Sequence, residues 1–132
     1  MLIGHNRMFG AFAVIDAVTE GNVAAAVERL RNMFASDKQA EYKVVGAFAY
    51  HFRRMFKAGM MLDKGKNRKQ VAAQLGLWGN VDGFFSQLSR VSLEGIGTVL
   101  AQLARIDYLV KTGQTDVKIA VEQLVLKLST NQ

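Results

Sequence analysis

The chain has 132 residues, half of them hydrophobic and about a fifth charged, a composition typical of one globular domain rather than of a disordered or fibrous chain. It contains no cysteine, which excludes disulfide bonds, thiolate metal sites and cysteine nucleophiles and fits the reducing cytosol. No apolar run reaches the roughly 18 residues that span a bilayer. We therefore expect a soluble, cytoplasmic protein without membrane contacts.

Glycine, asparagine, serine and threonine divide the proline-free chain into segments of helical length. The first predicted helix runs from about Met8 to Thr19. Asn22 can cap the second helix by accepting a hydrogen bond from a backbone N–H of its first turn. The third is predicted over about Ala40–Leu62, where apolar side chains recur every three or four residues. Asn67 and Gln70 form a capping-box pattern that predicts a short fourth helix.

Three further helices are predicted in the second half of the chain. Asn80 begins a short one, and Ser92 caps a long one that closes at Gly113. The last runs over about Thr115–Ser129. No segment alternates polar and apolar residues with a period of two, so no sheet is expected. The sequence predicts an all-α fold, a compact bundle of six to seven helices.

The two last helices carry candidates for packing or assembly. Asp107 lies within a wide apolar arc of the long helix, with Lys111 one turn later, and a covered carboxylate at this place needs a partner. We interpret the pair first as a lock on helix packing, with a contact to another subunit as the alternative. Ile119 and Leu126 lie seven residues apart on the side opposite the predicted core, and are candidates for a partner surface.

Motifs for catalysis and metal binding are absent from the sequence. The two histidines, His5 and His51, stand far apart, and His51 is expected to be packed or half-exposed. Gly65-Lys66 lacks the earlier glycine, the following Ser/Thr and the preceding strand of a phosphate-binding loop. Acidic residues are scattered singly rather than paired for acid–base catalysis. We therefore expect no enzyme activity, no cofactor and no small-molecule substrate.

The net charge is concentrated in the segment 53–69. Seven cations stand there against Asp63 alone, which gives +6, and the ten basic and ten acidic residues elsewhere cancel. A patch that binds nucleic-acid phosphates or an acidic protein partner is one interpretation, and a solubilising surface is the other. The seven cations are Arg53, Arg54, Lys57, Lys64, Lys66, Arg68 and Lys69.

Residues 70–77, followed by 80–88, resemble the helix-turn-helix of bacterial DNA-binding regulators. Asp82, however, occupies a position after the turn where that motif has an apolar residue. The would-be recognition helix also has glycine and phenylalanine near its N-terminal end, where base-contacting side chains belong. A structural helix pair is therefore favoured, and a DNA-binding module that uses the basic segment 53–69 is kept as the alternative function.

Four pieces of the chain occur in a distinctive order and spacing. They are Ile15-Asp16-Ala17 with Gly21-Asn22, His51-Phe52-Arg53-Arg54-Met55, Val71-Ala72-Ala73-Gln74-Leu75-Gly76-Leu77, and Asp107 with Lys111 and Gly113 before Val121-Glu122-Gln123-Leu124. Together they span about Phe9–Leu128 and resemble the carboxyl-terminal domain of the bacterial DNA polymerase III delta subunit. The chain departs from that pattern at Trp78-Gly79, where the family commonly has His-Pro.

The resemblance implies a collar domain, the helical module through which clamp-loader subunits associate. The delta subunit does not hydrolyse ATP, and its amino-terminal domain opens the sliding clamp. The implied partners are other clamp-loader subunits and, through the complex, DNA. Residues 1–7 would then be a linker from a preceding module and 8–132 a single collar-type domain, either excised from a longer subunit or a stand-alone relative. Such a domain alone should neither open clamps nor bind nucleotide.

Overall fold

The computed structural model describes residues 2–130, with side chains from residue 10 onward. Within this range the chain forms seven α-helices and no strand, which confirms the predicted all-α bundle. None of the described helices is long and apolar enough to cross a membrane. The helices are α1 (Leu2–Thr19), α2 (Val23–Ser36), α3 (Ala40–Asp63), α4 (Arg68–Leu75), α5 (Val81–Leu88), α6 (Leu93–Lys111) and α7 (Val117–Thr130).

Side-chain caps define the starts of four helices. Asn22, Asn80 and Ser92 each accept a hydrogen bond from the backbone N–H three residues further on, at 3.1, 2.9 and 2.9 Å. Asn67 and Gln70 form the reciprocal capping box at the start of α4. These bonds satisfy N–H groups that have no acceptor within the helix. The predicted starts of α2, α4, α5 and α6 are thereby confirmed.

The start of α1 differs from the prediction. We expect it near Met8, whereas α1 begins at Leu2, so the described backbone of the predicted linker is helical and continuous with α1. Glycine, histidine and asparagine are poor helix formers and occur together in this stretch, but an existing helix extends at the gain of one hydrogen bond per residue. The linker role of residues 1–7 stays a prediction. Met1 and residues 131–132 lie outside the described residues.

The long helix α3 occupies the centre of the bundle. It packs along α6 and also contacts α1, α2, α4, α5 and α7, while α1 and α2 form a hairpin and α2 packs on α7. Gly59 brings the end of α3 close to the start of α6, since an added Cβ would lie 2.6 Å from Leu93 Cδ2. The largest buried side chains come from every helix: Val14, Ile15, Leu30, Val44, Met55, Val71, Gln87, Ile96, Leu103, Val121 and Val125.

Candidate interaction surfaces

Arg54 belongs to the structural framework of the bundle. Its guanidinium donates hydrogen bonds to the Tyr50 hydroxyl at 2.8 Å and to the backbone carbonyl oxygen of Leu75 at 2.9 Å. Leu75 is the last residue of α4, and the last carbonyl groups of a helix receive no hydrogen bond from the helix's own N–H groups. Arg54 therefore attaches the end of α4 to α3.

Two further cations of the basic segment contact neighbouring side chains. Lys66 Nζ donates a hydrogen bond to Gln74 Oε1 at 2.7 Å. The Arg68 guanidinium lies 5.5 Å from the centroid of the Phe85 ring, within the range of a cation–π interaction. These contacts join α4 to the loop before it and to α5.

The remaining four cations, Arg53, Lys57, Lys64 and Lys69, face solvent. In the described part of the chain their side chains form no ion pair, hydrogen bond or ring contact. At 3.6 residues per turn, Arg53, Lys57 and Lys64 fall on one side of α3 and just beyond its end. The structure thus divides the basic segment into three cations held by the fold and four that are open to a ligand.

The start of α5 does not present the side chains of a DNA-reading recognition helix. Phe84 and Phe85, near the N-terminal end of α5, are buried in the core. Asp82 is exposed at the same end. Buried rings cannot contact base edges, and a carboxylate would meet the phosphate backbone with like charge. Helices α4 and α5 are therefore structural elements of the bundle, as the sequence favours. The helix-turn-helix form of the alternative function is wrong.

The pair formed by Asp107 and Lys111 lies within α6. Lys111 Nζ is 2.9 Å from Asp107 Oδ2, one turn away, and the Asp107 side chain is about half exposed. A pair of this kind contributes only some tenths of a kcal/mol, about 0.2–0.5. The predicted lock on helix packing is wrong, because the carboxylate finds its partner on its own helix. A contact of the pair with another subunit stays a prediction.

Large apolar side chains face solvent on α6 and α7. Ile119 and Leu126 are 57% and 37% exposed, as expected from their place opposite the core. Tyr108 is 61% exposed and is not among the residues predicted from the sequence. Its position five residues after the buried Leu103 already turns it away from the core. We call Tyr108, Ile119 and Leu126 the α6–α7 surface.

A groove of about 300 Å³ lies between α1, α3 and the loop that joins α4 to α5. Its lining is mostly apolar and includes the exposed rings of Tyr50 and Trp78. His51 lines it as well, with its ring edge-to-face against Phe12 and Phe84. The sequence gives no signal for this groove, because its walls come from three segments far apart in the chain.

A chain of polar contacts runs from His51 through Gln87 and Asp16 to Arg90. The His51 ring hydrogen-bonds to Gln87, whose amide donates to Asp16 Oδ1 at 3.4 Å, and Arg90 pairs with Asp16 at 2.9 Å. Burial lowers the pKa of His51, against a raising effect of the Gln87 hydrogen bond. His51 is thus a packed histidine, as expected. Among the described residues, no cluster of acidic or histidine side chains is suited to hold a metal ion.

The resemblance carried by the four sequence pieces is confirmed by comparison with protein families. The model of the DNA polymerase III delta subunit, C-terminal domain, matches residues 10–128. The chain belongs to this family. The match includes every residue of the basic segment and of the α6–α7 surface, so both are parts of the delta C-terminal domain itself.

A solved structure has the same fold as this delta C-terminal domain. It is the Bacillus subtilis DNA clamp loader delta protein (YqeN), with a TM-score of 0.82 and 21% sequence identity. The match covers 93% of this chain and 36% of the YqeN chain, so the domain spans about a third of the length of that relative. No curated protein sequence matches the chain.

Proposed function

We propose that this delta C-terminal domain is a non-catalytic assembly domain of a clamp loader, which joins other loader subunits and so supports loading of the sliding clamp. The proposal is supported by membership of the family and by the fold shared with the Bacillus subtilis DNA clamp loader delta protein. We also propose that the protein works in the cytoplasm. The subunits of the loader are the partners, and no chemical step takes place in this domain.

The exposure of the α6–α7 surface is the observation that carries the proposal. Tyr108 and Ile119 leave more than half of their side chains in water, on two helices that pack against each other. Protein interfaces are enriched in aromatic and apolar residues at their centre, and burial there contributes about 25 cal/mol per Å² of apolar area. The pair Asp107–Lys111 adjoins Tyr108, and a charged pair at the rim of an interface orients a partner more than it adds affinity.

Size-exclusion chromatography of the chain mixed with its cognate loader subunits tests the proposal. The variant Tyr108→Ser/Ile119→Gln should lose co-elution or bind at least tenfold more weakly, and adding Leu126→Gln should weaken binding further. Both substitutions lie on exposed positions, so the helical circular dichroism spectrum should be unchanged.

A matched control separates this surface from exposed apolar side chains in general. Trp78 and Met60 are 64% and 40% exposed on other parts of the bundle. The variant Trp78→Ser/Met60→Gln should keep co-elution. If the Tyr108/Ile119 variant assembles as well as the unaltered chain, the α6–α7 surface is not the interface. Failure of the unaltered chain to join any loader subunit would contradict the assembly function itself.

A further inference from the structure

We propose that the solvent-facing cations of α3 form a binding site for the phosphate backbone of a nucleic acid. The site consists of Arg53, Lys57 and Lys64, with Lys69 in the first turn of α4 beside them in the chain. It does not involve the α6–α7 surface, so it is independent of the proposed assembly role.

The arrangement of the three cations on α3 supports a linear polyanion as the ligand. They follow one another after four and seven residues, which corresponds to about 6 and 10 Å along a helix axis with a rise of 1.5 Å per residue. The row is therefore about 16 Å long, over which one strand of duplex DNA, at roughly 3.4 Å per nucleotide, presents about five phosphates. All three side chains are exposed and have no partner among the described residues.

The remainder of the basic segment is already used by the fold. Arg54 holds the end of α4, Lys66 contacts Gln74, and Arg68 lies over Phe85. At the start of α4, the capping box already occupies the backbone N–H groups of Asn67 and Gln70. A ligand would therefore be bound by the free side chains.

The composition of the row favours a nucleic acid over an acidic protein partner. Met60, which is 40% exposed, is the one apolar side chain that falls between Lys57 and Lys64 on the same side of α3, so the described row consists mainly of cations. A protein interface requires a desolvated apolar or aromatic centre, whereas contacts with phosphates require only cations.

Fluorescence anisotropy with a labelled oligonucleotide, single-stranded in one arm and duplex in the other, tests this site. The unaltered chain should bind, with an affinity that falls steeply between about 50 and 200 mM salt because counterions are released. The variant Arg53→Gln/Lys57→Gln/Lys64→Gln should bind at least tenfold more weakly. Its plot of log affinity against log salt should be shallower by roughly two to three, the loss expected for three phosphate contacts.

The matched control removes three exposed cations from other parts of the chain. Lys38, Arg105 and Lys127 are exposed and have no partner in the described structure. The variant Lys38→Gln/Arg105→Gln/Lys127→Gln has the same net charge as the test variant and should keep most of the affinity.

Three results would overturn the site. If the two variants weaken nucleic-acid binding equally, the net charge of the chain is responsible and not these three cations. If the unaltered chain shows no detectable binding at low salt, it has no such site. Labelled polyglutamate that binds as tightly as the oligonucleotide, with the same dependence on Arg53, Lys57 and Lys64, would identify an acidic protein as the ligand instead.

Discussion

Arg53 and Arg54 are neighbours in sequence, yet they have different surroundings. Successive residues on a helix point about 100° apart. That rotation directs Arg54 to the carbonyl group of Leu75, whereas Arg53 faces solvent. Charge counting along the chain treats the two residues alike, and only the position of α4 distinguishes them. Removing Arg54 should therefore affect the fold, and removing Arg53 should affect only ligand binding.

Replacing His51 tests its role as a packed neutral side chain. Burial lowers the pKa of His51, so the unfolded chain binds a proton at a pH at which the folded chain does not. The contribution to stability is complete above the ordinary histidine pKa of about 6.5 and is lost as the pH falls from there toward the lower folded-state pKa. We expect His51→Phe to lack this part of the pH dependence in urea unfolding at pH 7, 6 and 5.

The same measurement separates titration from packing. Loss of the hydrogen bond to Gln87 should lower the free energy of unfolding of His51→Phe by about 1 kcal/mol at every pH. A His51→Phe variant whose stability falls with pH as steeply as in the unaltered chain would contradict the assignment.

At the scale of helices, close packing between α3 and α6 depends on a glycine. An added Cβ at Gly59 would lie 2.6 Å from Cδ2 and 3.3 Å from Cγ of Leu93, so the Leu93 side chain must shift to admit it. We expect Gly59→Ala to lower the free energy of unfolding by about 1–3 kcal/mol, the range for overpacking. Gly46→Ala on the same helix meets nothing within 4 Å and should raise it by about 0.5–1 kcal/mol.

A double-mutant cycle identifies the contact responsible. In a Leu93→Ala background the overlap is gone, and Gly59→Ala should then behave like Gly46→Ala in urea unfolding. A cost of Gly59→Ala that persists in that background would show that another neighbour, and not Leu93, limits the approach of the two helices.

Helix starts could be predicted from the sequence because a capping side chain and the backbone N–H that donates to it are three residues apart. For this reason the predicted caps at Asn22, Asn80 and Ser92 are confirmed, and so is the predicted capping box of Asn67. Contacts between distant segments could not be predicted in the same way. His51 and Gln87 are 36 residues apart, and their contact depends on how α3 and α5 pack.

The same distinction between local properties and long-range contacts applies to the candidate site residues. A position opposite the core stripe is a local property, and it correctly places Ile119 and Leu126 at the surface. The partner of Asp107 depends on which helix covers α6, and the apolar pattern wrongly suggests that one does so at that residue. The groove beside His51 has no local signal at all, because three separate segments form it.

Across the whole molecule, buried contacts are distributed unevenly. Helix α3 contributes seven buried residues, whereas α4 contributes Val71 alone. Helix α4 packs chiefly on α3 and is joined to it by Arg54. Segments with few buried apolar contacts open at a lower free energy than the core of the same protein. Helix α4, which begins with Arg68 and Lys69 of the basic segment, should thus open before the bundle unfolds.

Native-state hydrogen exchange tests this order of opening. Amides of α4 should exchange with a lower opening free energy than those of α3 and α6, which should exchange only with global unfolding. The variant Arg54→Ala should speed exchange in α4 further and leave α6 unchanged, because it removes the hydrogen bond to Leu75. Arg53→Ala is the matched control: it removes the neighbouring cation, which has no partner in the described structure, and should leave exchange in α4 as it was.

The comparison of these two arginines connects the stability of the bundle with its proposed ligand site. If Arg54→Ala and Arg53→Ala alter exchange in α4 equally, the division into structural and ligand-facing cations is wrong. If α4 exchanges with the same opening free energy as α6, the domain opens as one cooperative unit. With the expected result, a nucleic acid bound to the cations of α3 and to Lys69 on α4 should slow exchange in α4, because a ligand that binds only the folded form raises the free energy of opening.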